Sequence, residues 1–174
     1  GQWGSENSVE WSACVTTDVI TAMAFWAGLR ESGAASIGGL TTTDQEQAYF
    51  LFSPQVDANT IAACTTPANL HFVVSANSVD YVTDLGIAVA ADTTYHLKVA
   101  IDSSRKVSCF VNGTQYGVAA TAVAAGTTQS TSTAQSIAIN DNVDLIPYIG
   151  IQEIGSGAAR TLRVHNQKIS RVLF

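Results

Sequence analysis

Apolar and polar residues alternate from Tyr95 to Gly113 in the rhythm of a two-stranded hairpin. Tyr95, Leu97, Val99 and Ile101 interleave with His96, Lys98, Ala100 and Asp102. A strand sends successive side chains to opposite faces, so the first set lines a core. The return strand repeats the pattern with Val107, Cys109 and Val111. Between the two, Asp102 to Lys106 supplies short polar residues that hydrogen-bond their own backbone, and Asn112-Gly113 supplies the residues that best tolerate positive φ at the next turn.

The same reading extends in both directions. Val9, Trp11, Ala13 and Val15 alternate with Glu10, Ser12 and Cys14, which predicts a first strand. Thr21 to Arg30 is apolar on both faces, the pattern of a central strand covered twice; Phe25, Trp26 and Gly28 disfavour a buried helix of that length. Gln47 to Ser53 reads as a strand stopped by Pro54. Asn59–Cys64 and Asn69–Ser75 follow, the latter with Leu70, Phe72 and Val74 on one face and His71, Val73 and Ser75 on the other. Asn77–Asp84 is expected as a turn with a short strand, Gly86–Ala91 as another, and Gln115–Ala119 as a further short one. Asp144–Glu153, Arg160–Val164 and Lys168–Phe174 complete the set.

Two stretches carry no period. Glu31–Asp44 is rich in Gly, Ser and Thr, and its length marks it as a functional or interface loop. Ala120–Gln135 is uncharged and low in complexity. It reads either as a flexible insertion or as small residues lying flat on a neighbouring subunit, and the contact role is favoured. Residues 1–8 are expected to be an arm unless something anchors Trp3, leaving residues 9–174 as a single domain. Roughly ten short strands separated by turns predict an all-β, antiparallel two-sheet sandwich or jelly roll.

Composition narrows the class. A chain of 174 residues supports one core, with about 70% of its extended surface buried on folding. Charged residues make up only 13%, against about 25% in an ordinary soluble domain. The Thr, Val and small residues that replace them suit sheet surfaces packed against something, so a homo-oligomer or a larger assembly is expected. A net charge of −6 removes any general attraction to nucleic-acid phosphates. No apolar run approaches the roughly 18 residues of a membrane-spanning helix. The opening at Gly1, with no Met and no signal-like segment, reads as a processed chain or an excised domain. Cys14, Cys64 and Cys109 stand singly, so zinc and dithiol chemistry are disfavoured; Cys14 and Cys109 read as buried free thiols, with one bridge left open.

Candidate chemistry is sparse. A retaining glucanase needs two carboxylates about 5 Å apart, which alternate positions of one strand can supply. The nearest approach is Asp44-Gln45-Glu46, which precedes its strand and lacks a third acid, so no catalytic residue is assigned and the chain is not expected to be an enzyme. Asn140 to Asp144 is dense in oxygen, making Asp141, Asn142 and Asp144 the weak candidates for Ca²⁺; turn chemistry explains them as well, and no cofactor is expected. His71, His96 and His165 are scattered and read as outward strand residues. Aromatic rings stack on sugars and anchor interfaces, and the binding candidates are Phe110, Trp3 and Tyr116. Phe110 lies opposite the apolar set of its strand, as an exposed platform, an interface anchor or cover for the outer sheet. Asn112-Gly113-Thr114 fits an N-glycosylation pattern, but the hairpin turn accounts for it.

Four segments carry a resemblance: Thr94-Tyr95-His96-Leu97-Lys98-Val99, Val107 to Gly113, Ile146-Pro147-Tyr148-Ile149-Gly150, and Arg160 to Val164. Their order over residues 20–174 resembles the concanavalin A-like lectin/glucanase jelly roll, in its laminin-G-like form. The resemblance implies two antiparallel sheets, one concave, with Leu97, Val99, Ile101, Val107, Cys109 and Val111 between them. That family includes lectins, carbohydrate-binding modules, glucanases, adhesion domains and virion-surface domains, and fold does not choose among these. The low charge, the Ala/Thr/Ser-rich segments and the hairpin followed by a Pro-led strand look most like proteins of bacteriophage particles. The expected function is a non-enzymatic virion structural or adhesion protein at the virion surface: a capsid decoration, head-fibre or tail-fibre component. Its expected partners are other virion proteins or copies of itself. The alternative is a secreted carbohydrate-binding module or lectin that takes cell-surface glycans.

Overall fold

A computed structural model describes residues 3–32, 45–54, 66–118, 127–128, 137–155 and 157–172. In chain order the strands are β1 (Trp3–Gly4), β2 (Glu10–Thr17), β3 (Met23–Glu31), β4 (Gln47–Phe52), β5 (Asn69–Ala76) and β6 (Val79–Ala88), then β7 (Thr94–Ile101), β8 (Val107–Val111), β9 (Thr114–Tyr116), β10 (Thr127–Thr128), β11 (Asp144–Glu153) and β12 (Leu162–Ser170). They form a seven-stranded sheet in the order β1-β11-β3-β4-β5-β6-β10 and a five-stranded sheet in the order β12-β2-β7-β8-β9. Pairing is antiparallel except between β10 and β6, which run parallel. The sole helical element among the described residues is a 3₁₀ turn, Ser5–Asn7.

Alternation builds the layer between the sheets. Trp11, Ala13 and Val15 of β2 and Leu97, Val99 and Ile101 of β7 meet Phe25, Ala27 and Leu29 of β3, Phe50 and Phe52 of β4, and Phe72 and Val74 of β5 in one buried cluster. Val107, Cys109 and Val111 join it from β8, so the hairpin read first in the sequence contributes its apolar face to the interior. Two sheets that each hide one face in this way give a sandwich core about 10 Å thick.

Three boundaries differ from the sequence expectation. The N-terminal arm is in part sheet: Trp3 and Gly4 pair with Leu145 and Asp144, the Trp3 ring packs on the core, and the Arg171 guanidinium lies 5.6 Å from its centroid. The expected break at Gly86 is a bulge inside one continuous β6: Gly86 takes φ +67°, its N–H donates to Asp84, and pairing resumes at Ile87 opposite Leu70. The two closing strands are likewise one, β12, with a bulge between Val164 and Asn166 that explains the lost alternation there. The expected strand Asn59–Cys64 and nearly all of the two aperiodic stretches lie outside the described residues; Thr127–Thr128, from the second stretch, is β10.

Candidate functional site

Lateral register assembles the outer face of the seven-stranded sheet into three rows. One row runs Ile146, Arg30, Gln47, Ser75, Asp80; the next Tyr148, Gly28, Tyr49, Val73, Val82; the third Gly150, Trp26, Leu51, His71, Asp84. Strand parity fixes this face, because the intervening residues of β3, β4 and β5 fill the core. Polar contacts run along the first row: the Gln47 amide donates to Ser75 Oγ at 3.1 Å, and the Ser75 hydroxyl donates to Asp80. Arg30 lies 4.7 Å over the Tyr148 ring, which also meets Trp26 at 5.7 Å and the edge of Tyr49 at 6.3 Å.

This face is closed. Arg30 is 2% exposed, Gln47, Tyr49 and Ser75 0%, and His71 1%. Close approach is built in at two glycines: a Cβ on Gly28 would run into the Ala48 carbonyl and the Tyr49 backbone, and one on Gly150 would enter the Trp26 indole. In the third row the cross-strand partners His71 and Asp84 are both shifted downward in pKa. Burial pushes the His71 imidazole below its ordinary pKa, against the opposing pull of Asp84 and of the Asn69 carbonyl, 3.0 Å from Nδ1. Burial alone would raise Asp84, yet the Gly86 N–H, the Asn69 amide, Thr66 and nearby His71 together hold it below the usual carboxylate value. The carboxylates of this face, Asp80 and Asp84, thus each accept hydrogen bonds from their own sheet.

The outer face of the five-stranded sheet is open. Ser12, Cys14 and Thr16 of β2 alternate with core residues, and His96, Lys98 and Phe110 stand beside them on β7 and β8. Together with Asn166 of β12 they line a depression of about 360 Å³. Lys98 Nζ sits 4.7 Å from the centroid of Phe110 and 2.8 Å from Glu10. A second depression of about 320 Å³, at the chain reversal around Ile20, Phe52 and Val89, is lined without a charged side chain.

The structure separates the three aromatic candidates. Phe110 is the half-buried floor of the open depression, whereas Tyr116 and Trp3 pack against the core, Tyr116 from the sheet edge and Trp3 from the other sheet. Asp141, Asn142 and Asp144 form a turn: Asn142 takes φ 57°, its N–H donates to Asp141 Oδ1 at 3.1 Å, and Asp141 lies 3.7 Å from Arg105, while Asp144 enters β11. No cluster of three metal-ligating side chains occurs among the described residues. Glu46 is buried, accepting from the Asn77 N–H, the Asn140 N–H and the Asn140 amide at 2.7–2.9 Å, which makes it a structural tie; Asp44 lies outside the described residues. His165 and Thr16 are 2.7 Å apart on the open face, and His96 lies 3.9 Å from Cys14. Cys14 and Cys109 are free and buried, Cys109 inward and Cys14 beneath the open face. Burial pushes the Cys109 thiol far up.

Sequence reasoning missed the closed set on the large sheet. Its signal was the polar residues set into the apolar runs, Arg30 in β3, Gln47 in β4, and His71 and Ser75 in β5.

No family model and no curated protein sequence matches the chain. Solved structures do. An alginate lyase from Pseudomonas aeruginosa superposes with a TM-score of 0.56 at 10% identity, covering 98% of this chain and 68% of that one. A β-glucanase from Bacillus licheniformis superposes with a TM-score of 0.54 at 10% identity, covering 100% and 69%. Likeness at this identity speaks to architecture alone. With the sheet orders above, it makes the chain an all-β, two-sheet jelly-roll sandwich of the concanavalin A-like type.

Proposed function

We propose that this chain is a non-enzymatic contact domain of a virion surface, a decoration or fibre component that works through the outer face of its five-stranded sheet. The observation that carries the reading is the contrast between the two outer faces. The large sheet packs its polar and aromatic residues shut, with Arg30, Gln47, Tyr49 and His71 all at 2% exposure or less. The small sheet leaves Phe110, Lys98, His96 and the polar run Arg163 to Lys168 accessible. The virion setting rests on the low charge, the Ala/Thr/Ser-rich segments and the resemblance of the Phe110–Gly117 hairpin, followed by a Pro-led strand, to phage-particle proteins. Sedimentation of the purified chain with particles from its source tests it. The chain is expected to co-sediment or self-associate, and a monomer with no affinity for particles overturns the reading.

A carbohydrate-binding role is the second reading, favoured by the aromatic floor of the depression and its polar rim of Ser12, His96 and Asn166. A flat response across a broad glycan panel, with and without calcium, removes it. Release of reducing or unsaturated ends from alginate or β-glucan by the purified chain would contradict the non-enzymatic assignment.

A further inference from the structure

The open face is cationic on an acidic protein. Half of the eight basic residues fall after Glu153, and none of the fourteen acidic ones does. The ladder brings two of these, Arg163 and Lys168, to the surface that holds Lys98: Lys98 and Lys168 flank Ser12 from its two sides, so their Cα atoms stand about 10 Å apart across two strand spacings. Arg163 pairs with Thr16 on the same face, and the β12 bulge turns the His165 ring toward that threonine. Glu10, already paired with Lys98, is the acidic side chain set among them; Lys168 and Arg163 are exposed and have no anionic partner among the described residues.

We infer that this face binds an acidic carbohydrate, one carrying carboxylate or sulfate groups, with a sugar ring on Phe110 and its anionic groups between Lys98 and Lys168. The inference rests on the second, carbohydrate-binding reading and names the chemistry of its ligand. A depression of about 360 Å³ holds a small ring system, and a sugar needs what this one offers: an apolar platform for its C–H face and hydroxyl partners at Ser12, His96 and Asn166. The flanking cations add the selectivity for negative charge. Nucleic acid fits less well, because a long polyanion reaching beyond the strip meets a body that carries the whole acidic surplus.

Titration with three oligosaccharides of equal length, one carboxylated, one sulfated and one neutral, tests this. Binding is expected to at least one acidic ligand and not to the neutral one, and to fade as salt rises from about 0.05 to about 0.5 M. Lys168→Glu and Phe110→Ala are each expected to weaken it at least about tenfold. Lys106→Glu makes the same charge change about 13 Å along β8 from Phe110, where Lys106 bridges Ala138, and is expected to weaken it less than about twofold. An unchanged melting temperature shows that each variant is folded. Equal binding to the neutral sugar, no binding to either acidic one, or full affinity in folded Lys168→Glu overturns the inference. If the acidic sugars fail while the chain still joins particles or self-associates, this inference falls and the contact-domain reading stands.

Discussion

Glu46 shows how single residues hold this sandwich. Its buried carboxylate accepts from Asn77 and twice from Asn140, joining the β5–β6 turn to the segment that leads into β11, while its own carbonyl accepts from Glu31. Glu46→Ala leaves three donors without an acceptor and is expected to cost about 3 kcal/mol in urea unfolding. A cost below about 1 kcal/mol would mean that water replaces the carboxylate. His71 sets the response to acid. Because burial holds its pKa below 6.5, the unfolded chain takes up the proton first, so stability is complete above 6.5 and declines as pH falls through the lower folded value. Asp84, held below 3.8, has the same sign in a lower window: its contribution is present above 3.8 and lost as pH falls further. His71→Asn is therefore expected to flatten the stability profile just below pH 6.5, where the wild type falls by up to about 1.4 kcal/mol per pH unit, with little change in slope near pH 4. An unchanged slope below 6.5 contradicts the assignment.

Strands were readable one at a time, and their partners were not. The alternation in β2, β5, β7 and β8 is local, so both faces of each could be written from the sequence. Register is non-local: nothing in Arg30, Gln47, Ser75 or Asp80 taken alone says that they share a row, and only the pairing of four strands brings them together. Bulges hid for a related reason. Gly86 and His165 interrupt the period as a chain end would, yet each ladder continues past them. The binding candidates divide along the same line, since the outward position of Phe110 follows from its neighbours, while the inward packing of Tyr116 and Trp3 depends on which strand each one meets. Close strand packing at the centre of the large sheet gives a sharp test. Gly28→Ala drives a methyl group into the β4 backbone and is expected to destabilise by about 3 kcal/mol or more, seen as a lowered denaturation midpoint. Gly150→Ala presses on the Trp26 ring instead, and is expected to change tryptophan fluorescence as well as stability.

At the scale of the whole molecule, the two sheets divide their labour. The seven-stranded sheet has its outer polar and aromatic groups buried, and the five-stranded sheet leaves an aromatic floor, two lysines and a mostly exposed edge strand accessible. The charge is distributed unevenly, with Lys98, Arg163 and Lys168 sharing the outer face of the five-stranded sheet. Hydroxyl-radical footprinting of the chain alone tests this division most directly. Trp26, Tyr49 and Tyr148 are expected to label far more slowly than Phe110, His96 and His165. Labelling of the three large-sheet aromatics as fast as Phe110 would reveal an open cleft there and contradict the account.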